Sequence, residues 1–177
     1  NDYISGGDDD DQIDGGSGAD EIYGDSGNDH ILGGNDNDNI WGGDGNDQID
    51  GGSGNDVLDG GGGSDEIDGG VGIDEVTYLG GSGVVVNLSD DEIVGDAGLV
   101  AAGTATDGFS QVDTLANVEN VTGSSYSDYL IGDAGANVLS GGTGDDLISG
   151  GSGDDQILGG LGDDRLYGNS GNDQIDG

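Results

Sequence analysis

Aliphatic residues recur on a nine-residue beat through most of the chain. They are Ile4, Ile13, Ile22, Ile31, Ile40, Ile49, Leu58, Ile67 and Val76, then Leu130, Leu139, Ile148, Ile157, Leu166 and Ile175. Most stand among polar neighbours, and a glycine-rich run follows. A 3.6-residue helical period does not fit this spacing, and neither does a long alternating strand. It predicts very short strands in which one side chain points inward and its two neighbours point outward. The glycines between them predict sharp turns. A single aliphatic per strand cannot form a core. Strands stacked about 4.8 Å apart would turn those residues into a continuous column.

Aligned on their glycine pairs, eight nonapeptides run over 6–77, preceded by the tail of another in 1–5, and six more run over 123–176. With the aliphatic at position eight, position six reads Asp2, Asp11, Asp20, Asp29, Asp38, Asp47, Asp56, Asp65 and Asp74. It resumes as Asp128, Asn137, Asp146, Asp155, Asp164 and Asp173. One asparagine among fifteen such positions is far from chance, even in an acidic chain.

Composition sharpens the question. Only 30% of the 177 residues are hydrophobic, 44 are glycine, and the formal charge is −38. Alone, those values describe a disordered chain, unless something cationic binds and completes the fold. Arg165 is the only basic residue besides His30, so nucleic acid and anionic membranes are excluded as partners by charge sign. Without cysteine there are no disulfides, thiolate nucleophiles or cysteine zinc sites. The donors left are carboxylates and backbone carbonyls, hard oxygens that suit calcium better than magnesium or manganese. No stretch is long and apolar enough to span a bilayer, and no N-terminal signal peptide is visible. The chain starts and stops in mid-repeat, which predicts a piece of something longer.

The phrase G-G-x-G-x-D-x-U-x resembles the RTX, or hemolysin-type, calcium-binding nonapeptide repeat. The resemblance covers about 132 of the 177 residues. It implies an all-β, right-handed parallel β-roll (a β-solenoid) with two nonapeptides per coil, so that aspartates eighteen residues apart stack on one edge. It further implies a calcium ion between successive turns, held by carboxylates from both and by carbonyls of the glycine-rich loops. Seven such pairs run from Asp2–Asp20 to Asp56–Asp74, and four from Asp128–Asp146 to Asp155–Asp173, about eleven ions in all. Asn137 should weaken the Asn137–Asp155 site, because an amide oxygen carries no full charge. Eleven divalent ions would offset more than half of the formal charge of −38.

Residues 78–122 break the glycine pattern over a length of five nonapeptides. Counted on the same beat, their sixth positions are Gly83, Glu92, Ala101, Ser110 and Glu119, without aspartate. Their eighth positions are Val85, Val94, Gly103, Val112 and Val121. The reading is one rod: calcium-binding repeats in 1–77, an irregular insert in 78–122 largely in phase, and calcium-binding repeats in 123–177. Strands are expected at 84–88 and 112–121, and at 95–110 either an excursion or a short helix around Leu99–Ala102. RTX chains often carry a similar insert, with a phrase like NVENVTGS before the repeats resume.

Position nine faces outward, and in alternate coils it carries Tyr23, Trp41, Asp59 and Thr77, with Ile131, Ser149 and Tyr167 in the same parity. Tyr23 and Trp41 could form a sugar-stacking platform for glycans, or simply pack on a neighbouring domain. His30 and Arg165, at position seven, read as solvated, and so do the extra aspartates Asp8, Asp9, Asp10 and Asp36. Ice binding would need ranks of threonine and asparagine. The asparagines exist at Asn28, Asn37, Asn46 and Asn55, but the threonines are missing. Catalysis has little support, since the carboxylate pairs recur identically whereas an active site is unique. The resemblance implies a secreted or cell-surface module, from a Gram-negative bacterium, that leaves the cell unfolded by type I secretion and folds on extracellular calcium. The host would be an adhesin, in which the module is a monomeric spacer, or else a secreted enzyme or toxin whose catalytic domain lies elsewhere.

Overall fold

The computed structural model describes residues 1–95, 98–106 and 111–177. Strands, mostly parallel, wind into a β-solenoid of about nine turns, and there is no helix among the described residues. The chain divides into two compact units, Asn1–Val76 with Gln111–Val118, and Thr77–Ser110 with Glu119–Gly177.

In the first unit, strands Tyr3–Asp8, Glu21–Ser26, Asn39–Asp44 and Val57–Gly62 stack in parallel, each residue over the one eighteen positions on. Strands Gln12–Ser17, His30–Asn35, Gln48–Ser53 and Glu66–Asp68 form the second stack in the same register. That register sets Ile13 over Ile31, Ile49 and Ile67, and Ile22 over Ile40 and Leu58. Most of these aliphatics are buried completely, whereas their position-seven neighbours Gln12, Glu21 and His30 are exposed. Burying a side chain of this size contributes roughly 1.5–3 kcal/mol, so the column is a thin but continuous core.

The second unit repeats the plan. Strands Asn120–Thr122, Val138–Thr143, Gln156–Leu161 and Gln174–Asp176 form one parallel stack. Val85–Asn87, Tyr129–Ile131, Leu147–Ser152 and Arg165–Ser170 form the other. Leu130, Leu139, Ile148 and Ile157 are fully buried.

The insert keeps the strands anticipated near 84–88 and 112–121 but shifts their phase. Val112 is 50% exposed, and Leu115 is the inward residue, lying over Ile67. Val86 rather than Val85 lies over Leu130, and Val84 and Val86 are both buried. Val121 does point inward, over Leu139. The nine-residue count fails because the intervening chain pairs antiparallel. Thr104–Thr106 runs antiparallel to Val85–Asn87, and Ile93–Gly95 pairs antiparallel with Gly98–Val100. Of the two readings of this stretch, the antiparallel pair at Gly98–Val100 supports the excursion and not the short helix around Leu99–Ala102. The stretch is too short for a helix to repay its nucleation, and ladder bonds satisfy its backbone instead. Residues 96–97 and 107–110 of the expected excursion lie outside the described residues, as does the side chain of Val94.

The excursion also closes over an outward position. Asn87 is fully buried, and its side-chain amide donates to the carbonyls of Asp91 and Ala101, each at 3.0 Å. Its register partner Ile131, expected outward, is buried as well, and so is Thr77.

Candidate metal centre

The sixth-position aspartates stand at the entrance to each strand, just before the inward aliphatic. They are buried to 4% exposure or less at Asp20, Asp29, Asp38, Asp47, Asp56, Asp65, Asp74, Asp128, Asp146 and Asp155, and so is Asn137. Asp2 and the last two, Asp164 and Asp173, are more open. Carboxylates rarely go so deep without a compensating partner.

Each one binds the coil before it. The N–H of Asp20 donates to Oδ1 of Asp38 at 2.8 Å, that of Asp38 to Asp56, and that of Asp56 to Asp74. On the other edge the N–H groups of Asp11, Asp29 and Asp47 bind Asp29, Asp47 and Asp65 in the same way. In the second unit Asp128 binds Asp146, Asp146 binds Asp164, and Asp155 binds Asp173. The aspartates eighteen apart are therefore brought together as ranks. One member of these ranks was not anticipated: Asp113, which accepts the N–H of Asp65 at 3.1 Å and is buried. The D-x-L spacing of Asp113 and Leu115 was the available signal, but a fixed count of nines steps over it.

The second carboxylate oxygen is different. Oδ2 of Asp11, Asp20, Asp29, Asp38, Asp47, Asp56, Asp146 and Asp155 is buried with no hydrogen-bond donor. Backbone carbonyls crowd the same space. A Cβ placed on Gly51 would stand 2.6 Å from Oδ2 of Asp56 and 2.7 Å from the carbonyl oxygen of Gly69. On Gly15 it would stand 3.0 Å from Oδ2 of Asp20 and 2.6 Å from the Gly33 oxygen. Glycine at position one thus leaves room for a carboxylate oxygen and a carbonyl oxygen converging on one small volume, with no proton between them.

The electrostatics follow from this burial. Desolvation pushes the carboxyls of Asp47 and Asp56 up to about 6, and the rank neighbours above and below add to the shift. Asp29, Asp38, Asp146 and Asp155 move in the same direction for the same first cause. Buried oxygens without donors, raised carboxyls and carbonyls in the same space fit a hard divalent cation. Among the described residues no three acidic or histidine side chains gather at one point. The donor set must therefore include the carbonyls.

The outward features fit the other readings poorly. Tyr23 and Trp41 do lie side by side, with ring centroids 4.6 Å apart and planes inclined by 8°. Each spends one face on the other, whereas a sugar platform needs faces turned to solvent. The asparagine rank is also engaged. Oδ1 of Asn28, Asn37, Asn46 and Asn55 accepts the N–H of Asn46, Asn55, Ser64 and Ile73 respectively. Those oxygens tie coils together.

The model of the RTX calcium-binding nonapeptide repeat matches the chain over residues 1–22, 15–49, 23–58, 41–76, 122–157 and 149–177. These matches omit the insert and take in every sixth-position aspartate named above except Asp113. No curated protein matches the chain.

Proposed function

The chain belongs to the RTX calcium-binding nonapeptide repeat family, and from that membership we propose that it is a calcium-folded spacer module of a larger secreted or cell-surface protein. Such β-rolls are generally structural rather than catalytic. The observation that carries the reading is the buried Oδ2 rank, of which Asp20, Asp38 and Asp56 form one edge and Asp11, Asp29 and Asp47 the other.

The residues that would hold calcium are the position-six aspartates whose buried Oδ2 takes no protein donor, such as Asp20, Asp29, Asp38, Asp47 and Asp56, together with carbonyls of the position-one glycines. A bound calcium ion supplies positive charge to hard oxygen donors. The chain's own residues do the rest. The aliphatic column fixes register, the aspartate Oδ1 atoms bind the preceding coil, and the position-one glycines leave room for Oδ2. In low calcium the same carboxylates repel one another and oppose their own burial, so the open chain is favoured. Ligand that binds only the folded form stabilises that form by mass action. Sites that share aspartates along a rank should fill cooperatively.

This switch suits a protein exported unfolded into millimolar extracellular calcium, as in type I secretion from a Gram-negative cell. We place the module in an adhesin, where a stack of near-identical coils serves as a spacer. Circular dichroism during a calcium titration, with magnesium as control, tests the folding step. The expected result is a sigmoidal coil-to-β transition that chelator reverses. A metal-stripped chain at neutral pH that is already β-rich and indifferent to calcium would overturn the proposal.

A further inference from the structure

Two of the repeats satisfy their sixth-position side chain with protein donors. In the repeat beginning at Gly123, Oδ2 of Asp128 accepts the backbone N–H of Ser124 at 2.7 Å, and Oδ1 accepts the Ser124 hydroxyl at 2.7 Å and the Val84 N–H at 2.8 Å. In the next repeat, Oδ1 of Asn137 accepts the N–H of Asp133 at 3.0 Å, while its Nδ2 donates to the Glu119 carbonyl at 2.6 Å. In both, the residue at position two turns its N–H inward to the side chain four residues on.

The cause lies in that residue. In the regular repeats position two has a positive φ, as at Gly16 (91°), Gly34 (114°), Gly52 (99°) and Gly151 (101°), and even at Asp25 (74°) and Asn169 (69°). Its backbone then continues the ladder, with Gly16 over Gly34 and Gly34 over Gly52, and the strands there run for six residues, whereas Glu66–Asp68 before Gly70 stops at three. Ser124 and Asp133 are outside the positive-φ set. The strands before them, Asn120–Thr122 and Tyr129–Ile131, stop after three residues, and the freed N–H bends to the sixth side chain.

We propose that the turns holding Asp128 and Asn137 close on protein hydrogen bonds alone and take no calcium, because a position-two residue outside the positive-φ region turns its N–H inward as the missing donor. Two of the four expected pairs in the second unit, Asp128–Asp146 and Asn137–Asp155, are then not calcium sites. The inference rests on the calcium reading of the regular repeats. It adds that position two decides whether a repeat needs the ion. It replaces the expectation that Asn137 merely weakens one site.

Native mass spectrometry of the calcium-loaded chain tests this by counting ions. Asp128→Asn should leave the count unchanged. Ser124→Gly should raise it by one, and so should the double variant Asp133→Gly with Asn137→Asp, since each restores the regular glycine pair and a free Oδ2. The inference is overturned if Asp128→Asn lowers the count, or if neither glycine variant raises it while the wild-type chain takes up calcium. A wild-type chain that takes up none would instead sink the calcium reading itself.

Discussion

Asp29 gives its backbone N–H to Oδ1 of Asp47 at 2.8 Å, one coil away, and leaves its own Oδ2 buried without a donor. The bond ties adjacent coils and at the same time forces two carboxylates into one dry rank. This predicts the pH response of the metal-free chain. Burial raises the Asp47 and Asp56 carboxyls from 3.8 to about 6, so these groups take up protons on folding. Their protonation favours the fold fully below about 3.8, and that contribution is lost as pH rises through about 6. With chelator present, circular dichroism should show more β structure at pH 4 than at pH 7.5. With calcium present, the midpoint should rise only as pH falls toward 3.8, where the carboxylates of the open chain begin to hold protons that calcium must displace. A β signal in chelator that is flat across this range would contradict the assignment.

Gly51 isolates the role of position one. An added methyl would stand 2.6 Å from Oδ2 of Asp56 and 2.7 Å from the Gly69 oxygen, and no positive φ is involved. Gly51→Ala should therefore act sterically. It should cost roughly 1–3 kcal/mol, the usual range for overpacking, and raise the calcium midpoint. Exposed Gln48→Ala should change both by little, within about 0.5 kcal/mol. Urea denaturation in saturating calcium separates the two.

Register in the insert can be read from a pair of substitutions. Leu115 lies over Ile67 and is 9% exposed, whereas Val112 is 50% exposed. Leu115→Ala should cost about 2–5 kcal/mol, and Val112→Ala no more than about 0.5 kcal/mol. Equal losses, or a larger loss at Val112, would restore the nine-residue phase through the insert.

That comparison also marks how far the sequence could be read. Wherever the repeat is unbroken, one aliphatic and one aspartate per nonapeptide determine strand, inward face and rank, and Ile22, Ile40 and Asp38 stand where periodicity puts them. The insert defeated counting because antiparallel pairs such as Val86 with Ala105 consume residues without advancing the coil. Local chemistry survived there even though the count did not. Asp113 and Leu115 keep the two-residue spacing of every other turn. The protein donors at Asp128 and Asn137 were not legible, because they depend on the φ of the residue four positions earlier. Serine or aspartate at that place signals a change of donor only once the glycine rule is known from the structure, and Asp25 shows that composition alone does not decide it.

Trp41 offers a direct report on coil closure. It is the only tryptophan, it stacks on Tyr23, and strand register, not local sequence, brings the two rings together from eighteen residues apart. The Tyr23 hydroxyl donates to Glu21 at 2.6 Å, and that bond with the surrounding negative charge holds its pKa up to about 12, so the ring stays neutral through the working range. Trp41 emission should therefore change in step with far-UV dichroism as calcium is added, since the stack exists only when adjacent coils are in register. Trp41→Ala should cost about 0.5–1.5 kcal/mol beyond the area it buries and leave the calcium count intact. Because each ring hides a face against the other, an array of neutral glycans should read the same for wild type and for Trp41→Ala. Selective loss of a glycan signal in the variant would show that the outer edge of this stack recognises sugar after all. An emission change that lags the dichroism would mean that the aromatic pair forms only after the roll has closed.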